Sequence, residues 1–314
     1  MDLIKPLGFY FPTQVLCVDD ELGFLDSLER NLGAKFRIVT EQNPLAALQK
    51  LNAKNPCSDA GLVERISEED LDQDFDCPIN VQLSKIIDKA FMPARHEEIS
   101  VVVVDYSMPK MTGLALCAEL HDCRIKKIML TGEKDQSLAI EAFNKGVIDY
   151  FIRKDDPDLE RHLGAVIRLL QQKYFQERTA FIVTAARASA HSFFSSPDFL
   201  KEFNRFLHHH QIVEFYLLDV TGSFLGLNAA GEPYWFFVKT EAQMMDLVDI
   251  AQSGEPSFEV VRALEERSAM VYFLSEEERN LDLEEWPSLA HPVTHKIGEV
   301  YLAWVEGPVR GFKS

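Results

Sequence analysis

Three carboxylates, one hydroxyl and one ammonium define the chemistry open to this chain. Asp19 and Asp20 close the apolar run VLCVDD, and Asp105 closes the apolar half of VVVVDYSMPKMTG. Thr131 closes the apolar part of KKIMLTGE, and Lys154 ends VIDYFIRK. Carboxylates held close together repel one another and raise each other's pKa values. A hard divalent cation relieves that repulsion. Mg²⁺ takes oxygen ligands, keeps several waters, and is usually held by one or two carboxylates plus phosphate. An ammonium beside it can neutralise a phosphoryl oxygen, and a hydroxyl can donate to another. The set therefore predicts phosphoryl transfer onto Asp105 as nucleophile, with Thr131 and Lys154 serving the transferred group. Taken singly, an acid at a strand end is a cap or a solvated loop residue. The reading rests on four strand ends that match in order.

These residues need elements that deliver them to one place. VLCVDD is a short strand, and LGFLDSLERNLG continues with Leu22, Leu25, Leu28 and Leu32 on one helical face until Gly33. KFRIVTEQ predicts a second strand, and Pro44 opens a helix over LAALQKL. ISVVVVDY predicts the third strand and TGLALCAELHD the third helix. KKIMLTGE and QSLAIEAFNKG supply the fourth pair, closed by Gly146. VIDYFIRK is the fifth strand and DLERHLGAVIRLLQQKYF the fifth helix, which stays helix-compatible through QERTAFIVTAARASAHSFF. Such alternation implies a parallel sheet covered on both faces. In sheets of this kind the functional crevice lies beyond the carboxyl ends of the strands, which is where every candidate stands.

This stretch resembles the receiver domains of two-component response regulators. VLCVDDE matches their acidic opening, DYSMPKMTG their D-x-x-M-P-x-M-x-G phosphorylation loop, and LTGE and DYFIRK their threonine and lysine signatures. The resemblance implies an α/β, flavodoxin-like fold with a five-stranded, doubly wound parallel sheet. It implies that Asp105 takes phosphate from a sensor histidine kinase or a phosphotransfer protein. It further implies Mg²⁺ held by Asp20, Asp105 and the backbone carbonyl of Ser107, with Asp19 acting largely through water. Thr131 and Phe151 become a switch pair, after which the surface of helix four, strand five and helix five dimerises. In two respects the chain departs from the pattern. Asp155 follows Lys154 where the family usually carries proline, and with Asp156 it adds negative charge beside the lysine. An insertion, about residues 52–98, also separates the second helix from the third strand.

Within that insertion, SEEDLDQDFDCP alternates acids in the manner of a calcium loop. Phe75 and Val81 stand where an EF-hand starting at Asp70 needs glycine and glutamate, which excludes that site. INVQLSKIIDKAFMP carries Ile79, Leu83, Ile86, Ile87 and Ala90 at helical spacing and predicts a helix packed beside the receiver, with the acidic loop exposed.

The second half changes character. SSPDFLKEFNRFLHHHQ predicts a helix with Phe199, Phe203, Phe206 and Leu207 facing inward. VEFYLLDV, SFLGLN and PYWFFVKT predict antiparallel strands joined by TG and AAGE turns. EAQMMDLVDIAQSG and SFEVVRALEERS add helices, and MVYFLSE and GEVYLAWVEG add strands. Asp219 reads as a hairpin cap, and Trp235, Phe236 and Phe237 read as core. Consecutive His208, His209 and His210 point in different directions on a helix and do not chelate one ion. The expected organisation is a receiver over residues 1–175, with the insertion, followed by an α+β output domain over 176–314. A receiver joined to a tail carrying LLDVTGSFLGLNAAGEPYWFFVKT is similar to the response regulators of α-hydroxyketone quorum-sensing systems. That similarity implies a cell-density circuit and an output other than ordinary DNA binding.

Composition narrows the functions further. The formal charge is -18, divided equally between residues 1–177 and 178–314. That disfavours nucleic acid and anionic membrane as partners, since both reward clustered Lys and Arg. No helix-turn-helix with a basic recognition helix appears. No apolar run reaches the length of a membrane span, and MDLIKPLGFYFP lacks the form of a signal peptide and reads as a short arm. The five cysteines include no CxxC pair, which fits reduced thiols in the cytoplasm. The expected protein is a phosphorylation-switched signalling component, not an enzyme beyond its own phosphorylation and dephosphorylation. It would act by homodimerisation or protein contact. The rival class is an enzyme or small-ligand sensor in residues 178–314 under receiver control. A deep polar pocket there would favour it.

Overall fold

A computed structural model describes residues 7–53, 55, 57, 59, 61–65, 79–132, 136–188, 193–194, 196–254, 258–310 and 312. The chain divides into two compact units. One comprises Phe11–Ser58 and Met92–Arg178; the other comprises Met1–Tyr10, Asp59–Phe91 and Thr179–Ser314.

The first unit is the α/β body expected from the alternation. Its strands are β1 (Gln14–Val18), β2 (Arg37–Glu41), β3 (Ile99–Asp105), β4 (Lys126–Thr131) and β5 (Tyr150–Arg153). They form one sheet in the order β2-β1-β3-β4-β5, with every neighbouring pair parallel. Its helices are α1 (Leu22–Leu32), α2 (Pro44–Leu51), α3 (Gly113–Ala118), α4 (Gln136–Asn144) and α5 (Leu159–Arg178). Side chains alternate across a strand, and the two faces build separate cores. Val15, Cys17, Val101, Val103, Ile128, Leu130 and Ile152 pack against Leu25, Leu28 and Leu32 of α1 and Leu159, Leu163, Ile167 and Leu170 of α5. Leu16, Val18, Val102, Val104 and Met129 pack against Ala47 and Leu51 of α2, Leu116 and Cys117 of α3, and Ala142 of α4. At about 1.5–3 kcal/mol for each fully buried large aliphatic side chain, these two layers dominate the unit's stability. They also fix the register, because a slip by one residue would exchange the faces.

At the opposite end of the sheet, the last turn of α5 is tied down by charge. Arg178, fully buried, pairs with buried Glu98 and donates to the Cys57 carbonyl, and Tyr174 donates to Glu98 Oε1 at 2.7 Å. The helix then breaks at Thr179, and a separate helix, α6, runs Ala180–Ala188. The helix predicted over TGLALCAELHD also ends early, at Ala118. Asn52 explains the stop: its side-chain amide donates to the Glu119 carbonyl (3.0 Å) while its oxygen accepts from the His121 N–H (2.8 Å).

The second unit carries an antiparallel sheet. Its central strands are β6 (Ile212–Leu217), β7 (Phe224–Asn228), β8 (Pro233–Thr240) and β9 (Val300–Glu306), flanked by Phe9–Tyr10 and by His295–Ile297. Helix α7 (Pro197–His209) starts on Ser196, whose hydroxyl accepts from the Phe199 N–H, with Pro197 in the first turn. Its inward rings stack into the sheet. Phe203 lies 4.5 Å from Phe224, 5.3 Å from Phe215 and 5.6 Å from Phe236, between ring centroids. Trp235, Phe236 and Phe237 are fully buried, as expected for core. Asp219 is the predicted hairpin cap: Oδ1 accepts the N–H groups of Thr221, Gly222 and Ser223, and Oδ2 accepts the Tyr272 hydroxyl at 2.6 Å.

Two sequence expectations need correction. The division into contiguous domains at residue 175 differs from the observed grouping, in which residues 1–10 and 59–91 belong with the C-terminal unit. The cause is nonlocal pairing: Phe9 lies opposite Tyr216, and Tyr10 opposite Phe215. Lys89, also buried, pairs with Asp59 at 3.1 Å and sits over the Phe9 ring at 5.2 Å. The helix predicted from Ile79 begins only at Ser84 and continues to Asp88. Ile79–Val81 instead forms a strand antiparallel to Val63–Arg65. The acidic loop, SEEDLDQDFDCP, lies outside the described residues.

Candidate functional site

Strand register brings the five predicted groups to one rim. Val18 lies opposite Val104, so Asp19 and Asp105 end neighbouring strands at the same level. Asp105 lies opposite Leu130, which puts Thr131 one step beyond, and Thr131 lies opposite Arg153, which puts Lys154 one step beyond that. The loop after β3 then turns sharply. The Gly113 N–H donates to the Tyr106 carbonyl at 3.0 Å, and any Cβ at Gly113 would collide with the Asp105 carbonyl oxygen. Lys110 takes a left-handed conformation at φ 72°, Met108 anchors the loop in the core, and Thr112 caps α3 by accepting from the Ala115 N–H at 3.2 Å.

Lys154 Nζ bridges two acids, lying 2.7 Å from Asp19 Oδ2 and 3.0 Å from Asp105 Oδ1. The second oxygen of each acid is held by backbone: the Glu21 N–H donates to Asp19 Oδ1 and the Ser107 N–H to Asp105 Oδ2, both at 3.0 Å. Asp20 is exposed beside them. Ligand oxygens of Asp19, Asp20 and Asp105 all lie within 4.8 Å of one another.

Electrostatics agree with that donor set. Asp19 is 1% exposed. Burial pushes its carboxyl above the usual range, and Asp105 adds repulsion, although Lys154 and the Glu21 N–H pull the other way. Lys154 loses by burial as well, but its bonds to Asp19 and Asp105 outweigh the loss and raise its pKa, so it stays an ammonium. A buried acid that stays raised despite its lysine has capacity for more positive charge. Hard oxygens in this arrangement fit a Mg²⁺-sized cation. Cys17, behind the site, is pushed up to about 12 by burial and is an inert core thiol.

Thr131 and Phe151 lie on the other side of the sheet. Thr131 is 0% exposed, and its hydroxyl has no hydrogen-bond partner among the described residues. An orphaned buried hydroxyl costs about 1–3 kcal/mol, which makes this one a donor held in reserve. Phe151, half-buried, packs on the same core as Met129 and meets Phe143 edge-on at 6.2 Å. The acids after Lys154 are engaged elsewhere. Arg153 grips Asp155 with two bonds (2.9 and 2.5 Å), and His162 holds Asp156 at 2.7 Å. These partners hold both carboxyls below the usual range. One contact was not legible in the sequence: the Phe24 ring, in the first turn of α1, lies 4.9 Å from Lys154 Nζ.

Comparison with known proteins gives three findings. The family described as "Response regulator receiver domain" matches residues 69–163, a span that holds Asp105, Thr131 and Lys154 but not Asp19 or Asp20. Among curated proteins, the probable transcriptional regulator ycf27 of Guillardia theta is 34% identical over 83 residues, covering 26% of this chain and 33% of that protein. The ycf27 protein of Porphyridium aerugineum is 34% identical over 76 residues, covering 24% and 32%. The chain thus spans about a third of the length of these curated relatives. Among solved structures, the Legionella pneumophila response regulator LqsR is similar along nearly the whole chain, with 30% identity, a TM-score of 0.75, and coverage of 98% of this chain and 91% of that one.

Proposed function

The chain belongs to the response regulators, and on that premise we propose that Asp105 accepts a phosphoryl group from a sensor histidine kinase or a phosphotransfer protein. The observation that carries the reading is Lys154 bridging Asp19 and Asp105 beside exposed Asp20. An Asp105 oxygen attacks phosphorus, the bond from phosphorus to the donor histidine nitrogen breaks, and an acyl phosphate forms. Asp19, Asp20, Asp105 and the Ser107 carbonyl would hold Mg²⁺, which screens the negative charge that accumulates between carboxylate and phosphoryl oxygens. Lys154 transfers its charge from the Asp105 oxygen to a phosphoryl oxygen. The unpartnered Thr131 hydroxyl donates to another. Phe151, which packs on the same core as Met129 of β4, follows Thr131 inward and alters the face formed by α4, β5 and α5.

The output is protein contact or homodimerisation rather than DNA binding. Its support is the acidic balance of residues 178–314. Similarity to LqsR along the chain supports an output of the same architecture, and with it a role in a quorum-sensing circuit in the cytoplasm. Among the described residues, no helix is long and apolar enough to cross a membrane. Incubation with radiolabelled acetyl phosphate and Mg²⁺ tests the central step. The expected product is an acid-labile, hydroxylamine-labile phosphate on Asp105. Labelling that persists in Asp105→Asn would overturn the assignment. Sedimentation with beryllofluoride tests the output, and an unchanged dimer fraction would remove the dimerisation part.

A further inference from the structure

Lysine ends in a compact charge on a flexible four-carbon stem, so two acids alone leave one side of Lys154 open. That side is closed by Phe24. The ring belongs to the core between α1, α5 and the sheet, and its centroid lies 4.9 Å from Nζ, within the range where an aromatic face attracts a cation. The ammonium is thus seated on three sides, by Asp19, Asp105 and the ring. Of the two acidic contacts, the one to Asp105 is disturbed when that carboxylate is modified, since the oxygen facing Lys154 belongs to the proposed nucleophile, whereas the other belongs to Asp19. The ring is neutral and does not change during transfer. The backbone after Lys154 offers a weaker constraint, because the Arg153–Asp155 pair is solvent-exposed on both sides.

We propose that Phe24 is a positioning residue for Lys154, holding the ammonium over its face while the lysine passes from the Asp105 carboxylate to the incoming phosphoryl oxygen. The inference rests on the phosphoacceptor reading above. It assigns to α1, beyond its supply of core leucines, one wall of the reaction site.

The test uses the full chain with acetyl phosphate and Mg²⁺, and compares Phe24 with mono-, di- and trifluorinated phenylalanine at that position. Fluorination drains the ring's negative face with little change of shape, so a purely structural role predicts a flat series. The expected result is a stepwise fall in the logarithm of the labelling rate. Phe24→Leu is expected to be about two- to thirtyfold slower, Phe24→Tyr restored to the parent rate, and Mg²⁺ affinity by calorimetry unchanged throughout. A flat fluorine series overturns the role of Phe24. A parent chain that takes no label on Asp105 overturns the phosphoacceptor reading instead, and the two failures are distinct.

Discussion

The parallel sheet of the first unit packs mainly aliphatic layers on both faces and carries its candidate site groups at strand ends. The antiparallel sheet of the second meets α7 through stacked rings, and half-buried Asp219 sits within the structure as a cap. In the first unit, function and stability therefore occupy different places along each strand. A carboxylate at the tip can change without touching the Val, Leu and Ile layers. In the second, the same rings that would shape a surface also hold the sheet together, so a change there is felt as stability first.

The largest effect should come from the strand tip. Asp105→Asn removes the proposed nucleophile and should reduce acetyl-phosphate labelling to background, while the urea midpoint stays at or above that of the parent. A large loss of stability would break the separation just drawn. Phe203→Ala should do the reverse, costing about 3–5 kcal/mol in urea unfolding, because the ring contacts Phe215, Phe224 and Phe236 at once. Arg178→Met should also cost about 3–5 kcal/mol, since it leaves Glu98 charged and buried. Adding Glu98→Gln should recover much of that, and a double variant no better than the single would show that packing, not charge, governs the end of α5. The smallest effect belongs to His291, whose ring stacks on Phe237 at 5.0 Å and whose pKa is lowered by burial to about 4. The unfolded chain, near 6.5, binds the proton first. Stability from this group is therefore complete above about pH 6.5 and is lost as pH falls towards 4. His291→Gln should flatten urea midpoints across that window.

The parallel sheet and the candidate site of the first unit were legible because four of its strands are apolar runs that stop at a chemically distinct residue. The placing of Asp19, Asp105, Thr131 and Lys154 on one rim follows from parallel register alone. What escaped the sequence depended on contacts between distant segments. Nothing local in Phe9–Tyr10 announces pairing with Phe215 and Tyr216. Ile79 fits a helical stripe with Leu83 and Ile86, yet a β-branched residue next to a short polar turn also fits a strand, and pairing with Val63–Arg65 decides it. The early end of α3 is set by Asn52, far away in sequence. Phe24 looked like one more apolar residue in α1; its meaning comes from Lys154, which arrives from the opposite end of the unit's sequence.

Alternation within the strands has a last consequence. Asp105 and Lys154 continue the rows that face α1 and α5, whereas Thr131 and Phe151 belong with the rows that face α2, α3 and α4. On the proposed reading, the sheet then separates the phosphoacceptor and its lysine on one side from the switch pair on the other. A one-residue deletion inside β4 would exchange the faces of Ile128, Met129 and Leu130 as well, so the side on which the threonine stands cannot be altered without disturbing the layers that hold the strand.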